Sequence, residues 1–120
     1  MTNATDFVTR YLTAWQTNDP ADIAAVFAPD AVYHPRPNAS QIASGIEEIV
    51  PFWLEERDEP GTWEFEWSIA VEDAHAAAIR GVTTYPTGPK QGTYDNLWLV
   101  RFDDEGRAVE FTDWWIARKK

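Results

Sequence analysis

Helical spacing governs the first half of the chain and strand alternation the second. Phe7, Val8, Tyr11, Leu12 and Trp15 recur on one helix face, and Thr17-Asn18 stops the run. Asp19-Pro20 reads as N-cap and first helical position of a short second helix, with Ile23, Val26 and Phe27 as its buried stripe. Ala28-Pro29-Asp30 ends it. Ala31-Val32-Tyr33-His34 predicts a short strand, cut off by Pro35 and Pro37. Ser44-Gly45-Ile46-Glu47 has capping-box spacing for a third helix that carries Ile46, Ile49, Val50 and Trp53 and kinks at Pro51.

After Pro60-Gly61 the period falls to two. Trp63, Phe65, Trp67 and Ile69 alternate with Glu64, Glu66 and Ser68, the pattern of a half-buried strand. A hairpin at Glu72-Asp73 leads into a strand from about His75 to Tyr85, and a longer strand runs from Gly92 to Phe102. Its face Tyr94, Asn96, Trp98, Val100 and Phe102 is the core side, leaving Leu97 and Leu99 outside. The last strand puts Val109, Phe111, Asp113 and Trp115 inward and Glu110, Thr112, Trp114 and Ile116 outward. The expected fold is one α+β domain over residues 1–120: three helices on the concave face of a cone-shaped, curved antiparallel sheet. Trp63, Phe65, Trp67, Phe102, Phe111 and Trp115 are its expected buried aromatics, and a cavity is expected at the open end.

Composition narrows the function. Seven tryptophans and 44% hydrophobic residues imply an aromatic core or cavity. Ten basic against twenty acidic residues give a net charge of −10, with Arg118-Lys119-Lys120 as the one basic cluster, so neither nucleic acid nor an anionic membrane is an expected partner. With no cysteine there is no disulfide or thiolate chemistry, and no run approaches the ~18 apolar residues of a membrane span. A cytoplasmic protein is the expectation. His34 and His75 lie far apart without ligand spacing, and no phosphate-binding glycine loop or cofactor fingerprint occurs, so no metal or cofactor is expected.

The order of elements resembles the nuclear transport factor 2-like superfamily, which includes SnoaL-like polyketide cyclases, ketosteroid isomerases and limonene epoxide hydrolases. The markers are Tyr11-Leu12, Asn18-Asp19-Pro20, Val26 to Ala31, Gly45 to Ile49, Val100-Arg101-Phe102 and Phe111 to Trp115. The resemblance spans nearly the whole chain and implies this cone fold. By it, Tyr11 matches the tyrosine that ketosteroid isomerases aim at a developing oxyanion, and His34 stands where they carry an aspartate base before a proline. Trp98 falls where they place a second acidic donor. Asp113 matches an inward aspartate of limonene epoxide hydrolases, and Arg80 their arginine, with Val82 in place of a second aspartate.

His34, Tyr11 and Asp113 are therefore the candidate catalytic residues. An imidazole can exchange a proton near neutral pH, a phenol can polarise a substrate oxygen, and a buried carboxylate can act as an acid. Each has a plainer alternative: a loop-bound histidine, a core tyrosine, and Asp113 in a buried ion pair with Arg80. Trp53, Trp67, Arg80, Asn96, Trp98 and Trp115 are the candidate substrate-binding residues, forming an aromatic pocket for a small hydrophobic or aromatic molecule unless tryptophan fills the cone. Two function classes stay open: a cofactor-free proton-transfer enzyme and a non-catalytic binding module. A wet cavity joining His34, Tyr11 and Asp113 favours the first; a His34 pointing into solvent, or tryptophan leaving no void between it and Asp113, ends the enzyme reading in favour of the second. Outer-face Leu97, Leu99 and Trp114 together suggest a homodimer through the sheet.

Overall fold

The structure, a computed structural model, describes residues 2–118; Lys119 and Lys120 of the basic cluster lie outside the described residues. Helix α1 (Asn3–Thr17) begins where the Thr2 side chain accepts from the Thr5 N–H. It ends at Asn18, whose left-handed backbone (φ 51°) lets its N–H reach the Ala14 carbonyl at 2.7 Å. Helix α2 (Pro20–Val26) is capped by Asp19, which accepts from the Ala21 N–H at 2.8 Å. Phe27 belongs to the next strand and not to the helix stripe. Strand β1 runs Phe27–His34 with a register irregularity between Phe27 and Val32, so Ala28-Pro29-Asp30 lies within it.

Helix α3 (Ile46–Glu55) starts one residue later than the capping-box spacing suggests. Gly45 is its N-cap and offers no side chain, while the Glu48 carboxylate accepts the Ser44 N–H at 2.9 Å. The helix continues through Pro51 and buries Ile49 and Trp53. A two-residue strand β2 (Ala43–Ser44), too short to leave a periodic signal, pairs with β1. Strands β3 (Glu64–Glu72), β4 (Ala76–Tyr85), β5 (Gly92–Phe102) and β6 (Ala108–Ala117) form the meander. None of the described helices is long and apolar enough to cross a membrane.

The sheet order is β2-β1-β6-β5-β4-β3. β1 runs parallel to β6, whereas every other pairing is antiparallel. The sheet is therefore mixed rather than wholly antiparallel. Periodicity reports which face a strand buries and says nothing of its neighbour's direction, and the long excursion through α3 and the meander permits a parallel return. Register shifts at Ile69/Val71 and Arg101/Phe102 bend the sheet around the helices without closing it.

Across β4, β5 and β6 the concave face is built in rows. Ala77, Val100 and Phe111 are register partners; Ile79, Trp98 and Asp113 form the next row; Gly81, Asn96 and Trp115 the one after. The first row and most of the second pack under α1, with Phe7, Trp98 and Phe111 fully buried. Trp63, Phe102 and Phe111 are buried as expected, and Phe65 and Trp67 are partly buried against the core. Trp115 is not buried: it is 45% exposed, because β1 pairs with β6 only as far as Thr112 and leaves this end of β6 without a neighbour on that side. On the convex face Leu99, Trp114 and Ile116 are exposed, as is Arg80.

Gly81 makes one of these rows possible. A Cβ there would stand 2.3 Å from Cζ of Phe65, whose ring lies over the glycine and stacks on Trp98 at 4.8 Å. Gly81→Ala must push Phe65 off Trp98, and overpacking of this kind typically costs about 1–3 kcal/mol. The variant is expected to unfold at lower denaturant concentration, and Gly81→Ala with Phe65→Leu to recover part of the loss; an unchanged midpoint for Gly81→Ala would contradict this packing.

Candidate functional site

From the Trp98 row outward the concave face changes character. Thr83, Asn96 and Asp113 follow the apolar residues on β4, β5 and β6, and α1 and β1 bring Tyr11 and Tyr33 over them. These polar groups form the floor of an open cavity of about 540 Å³, within the ~300–1,000 Å³ range of small-molecule sites. Trp15, Phe52, Trp53, Trp98 and Trp115 supply aromatic wall. The tryptophans therefore line the cone without filling it.

The floor is ordered by two hydrogen bonds in series. Thr83 Oγ1 donates to Asn96 Oδ1 at 2.8 Å, and Asn96 Nδ2 donates to Asp113 Oδ1 at 3.0 Å. The Trp98 indole N–H lies beside the same carboxylate without reaching hydrogen-bond geometry. Asp113 thus has one firm donor and no cation. Burial pushes its carboxyl from the usual 3.8 up to about 6, with Asn96 and Trp98 opposing the shift. Burial also raises the Tyr11 and Tyr33 phenols, and the Asp113 charge raises both further. They stay protonated as hydrogen-bond donors. Asp113 is the floor group whose charge can change near neutral pH.

Several expected site residues lie elsewhere. His34 is on the convex face, its Nε2 3.1 Å from Glu110 Oε2, and Glu110 also accepts from Arg101 Nε at 2.8 Å. Strand alternation turns Tyr33 into the cavity and His34 away from it. Arg80 is exposed opposite Leu97 and Ser68 and forms no ion pair with Asp113. The inward residues of β4 are Ile79, Gly81 and Thr83, so the alternative of a buried Asp113–Arg80 pair is ruled out. Trp67 packs at the core side of β3 and does not line the cavity. Tyr11, Trp53, Asn96, Trp98, Asp113 and Trp115 do come together there.

Two lining residues gave no sequence signal of this role. Tyr33 sits in a strand whose two faces are almost equally apolar. Asp58, within the acidic run after α3, collects donors from three separate elements. Trp15 Nε1 reaches it at 3.0 Å, the Tyr85 hydroxyl at 2.8 Å and Lys90 Nζ at 2.7 Å. Asn18 joins them, donating to the Asp58 carbonyl at 2.9 Å and accepting from Trp53 Nε1 at 3.1 Å. No sequence spacing links these residues. Among the described residues no group of three His, Cys, Asp or Glu is placed to hold a metal ion.

A family model described as a SnoaL-like domain matches residues 8–111. Among solved structures, an NTF-2 like protein of unknown function from Burkholderia xenovorans LB400 superposes with a TM-score of 0.75 at 13% identity, covering 98% of this chain and 86% of that one. A steroid delta-isomerase from Pseudomonas aeruginosa gives 0.65 at 18% identity, covering 97% and 81%. An LEH-like epoxide hydrolase from M. tuberculosis gives 0.67 at 21% identity, covering 95% and 83%. At these identities the structural likeness shows the fold alone. No functionally curated protein matches the chain.

The raised Asp113 carboxyl has a consequence for stability. In the unfolded chain the group ionises near pH 4, in the folded chain near 6, so folding is penalised progressively as pH rises between these values. Below pH 4 both states are protonated and the penalty vanishes. Asp113→Asn is therefore expected to stabilise the protein by about 1–3 kcal/mol at pH 8 and by little at pH 4. Denaturant titrations at the two pH values check it; a gain that is equal at both, or larger at pH 4, would count against the burial cause.

Proposed function

The chain belongs to the SnoaL-like domain family, and from that premise we propose that it binds a small, largely apolar molecule in the cavity, with a polar group of the ligand seated on the floor. The observation that carries this reading is the open volume of about 540 Å³ between an aromatic wall and the Thr83–Asn96–Asp113 floor. Such a pocket removes apolar surface from water at the wall and orients the ligand by a few polar contacts.

A second reading, proton transfer at Asp113, is favoured by one observation. The carboxyl titrates near 6 and shares the cavity with two protonated phenols. A carbonyl oxygen resting on Tyr11 and Tyr33 would present an adjacent C–H to the Asp113 carboxylate, which takes the proton while the phenols stabilise the resulting enolate. His34 has no part in this reading, since it lies on the other face. Two of the fold neighbours are by name a steroid delta-isomerase and an epoxide hydrolase, so the fold accommodates chemistry as well as binding.

One compound separates the two. 2-Tetralone is a small aromatic ketone with exchangeable α-protons. Calorimetry is expected to show it binding, and proton NMR in D₂O to show deuterium uptake above the buffer rate, rising with pH through about 6. Asp113→Asn should lower the uptake by about 10²–10⁴-fold while binding persists. Binding without accelerated uptake leaves a binding module; no binding at all removes the cavity reading.

The convex face supports a homodimer. Leu99, Trp114 and Ile116 are 39%, 45% and 68% exposed, and Leu97 is the register partner of Trp114. A contiguous apolar strip of this kind is more than monomers usually leave open. Sedimentation equilibrium is expected to give a dimer for the native chain and a monomer for Trp114→Glu. A native monomer at tens of micromolar would refute the assembly.

A further inference from the structure

Charge around the cavity is distributed unlike that of the chain as a whole. The sequence holds twice as many acidic as basic residues, 20 against 10. Yet the cavity is lined by three basic residues, Arg36, Arg57 and Lys90, and three acidic ones, Glu56, Asp58 and Asp113. Two of the cations are already engaged. Lys90 Nζ lies 2.7 Å from Asp58 Oδ1. Arg57 donates to the Leu54 carbonyl at 2.9 Å, with its Nε 3.9 Å from Glu59. Arg36 has neither an ion pair nor a side-chain hydrogen bond among the described residues.

The backbone that presents Arg36 is nevertheless held in place. Pro35 and Pro37 flank it and restrict their own φ angles. The Ala39 N–H closes a turn onto the Arg36 carbonyl at 3.2 Å. The Trp115 indole, from the cavity wall, donates to the Pro35 carbonyl at 3.2 Å. A guanidinium on an anchored turn at the edge of a pocket gives up little backbone freedom when it engages a ligand. Asp58, with its three donors, is not available to neutralise it.

Building on the binding reading above, we infer that the ligand carries a single carboxylate, held at the rim by Arg36 while its apolar body runs inward to the floor. The guanidinium fork matches the two oxygens of a carboxylate, and its charge shortens and strengthens the bonds. The Asp113 carboxylate on the floor disfavours a negative charge placed deeper. The rim is then the one favourable seat for an anion, and it fixes the ligand's direction: charge outward, ring inward.

The test compares 1-naphthylacetate with its neutral isostere 1-naphthylacetamide by calorimetry at pH 7.5 and low salt. The acid is expected to bind about tenfold more tightly, the size of one charge-assisted hydrogen bond at a partly wet rim. Arg36→Gln should bring the two affinities within about twofold, chiefly by weakening the acid. Amide binding with no preference for the acid, or equal loss of both ligands in Arg36→Gln, overturns the carboxylate inference and leaves the cavity reading standing. Binding of neither compound overturns both.

Discussion

Trp98 meets Phe7 and Phe111 edge-on, Tyr11 at 4.4 Å and Phe65 in a stack at 4.8 Å. One side chain of β5 thereby closes the packed half of the cone. Toward Phe102 the concave face is continuous core; on the other side, from Asn96 outward, it is cavity wall. The indole buries a large apolar area and brings ring contacts worth about 0.5–1.5 kcal/mol each beyond that area. It also fixes the level at which three strands change from apolar to polar residues. Had the core continued one row further, Asn96 would be lost and Asp113 would have no donor at hydrogen-bond geometry. Had it stopped one row earlier, Phe111 and Phe7 would face water.

Asp113 is placed by that boundary. It is the register partner of Trp98, so its first neighbour is an indole and its cavity side is open. A carboxylate there is partly stripped of water and is reached at hydrogen-bond geometry only by Asn96. The Thr83 hydroxyl matters although it does not touch the carboxylate. The carboxylate, which only accepts, draws the Asn96 N–H group toward itself, and the Thr83 hydroxyl satisfies the amide oxygen left on the other side. Without that orientation an amide oxygen could face a carboxylate, which would raise the cost of burying it.

The phases of β5 and β6 were legible because their two faces differ sharply. Trp98, Val100 and Phe102 oppose Asp95 and Arg101, and Phe111 opposes Glu110, so Asn96 and Asp113 are carried inward with their apolar neighbours. β1 offers no such contrast: Ala31 and Tyr33 on one face balance Val32 and His34 on the other. His34 drew attention as the residue with the more familiar chemistry, yet its ring bonds Glu110 on the convex side. Arg80 was read through its resemblance to the arginine of limonene epoxide hydrolases, although Ile79 and Gly81 beside it already mark the inward phase of β4. The parallel β1–β6 pairing and the short β2 left no periodic trace.

Asp58 and Asp113 show why a residue type alone does not locate a site. Both are aspartates lining one cavity. Asp58 binds an indole, a phenol and an ammonium group, contributed by α1, β4 and the β4–β5 loop. Removing it would unfasten three elements at the mouth, and its oxygens are committed to that task. Asp113 has one amide donor and no cation, so its carboxylate keeps bonding capacity toward the cavity. In sequence, Asp58 lies in the charge run Glu55-Glu56-Arg57-Asp58-Glu59, which reads as a solvated helix end, because partners 43, 27 and 32 residues away leave no local spacing. Asp113 was visible because its strand carries it against the hydrophobic grain. The aspartate that is structurally satisfied is the silent one, and the aspartate with capacity to spare is the one the pattern exposes.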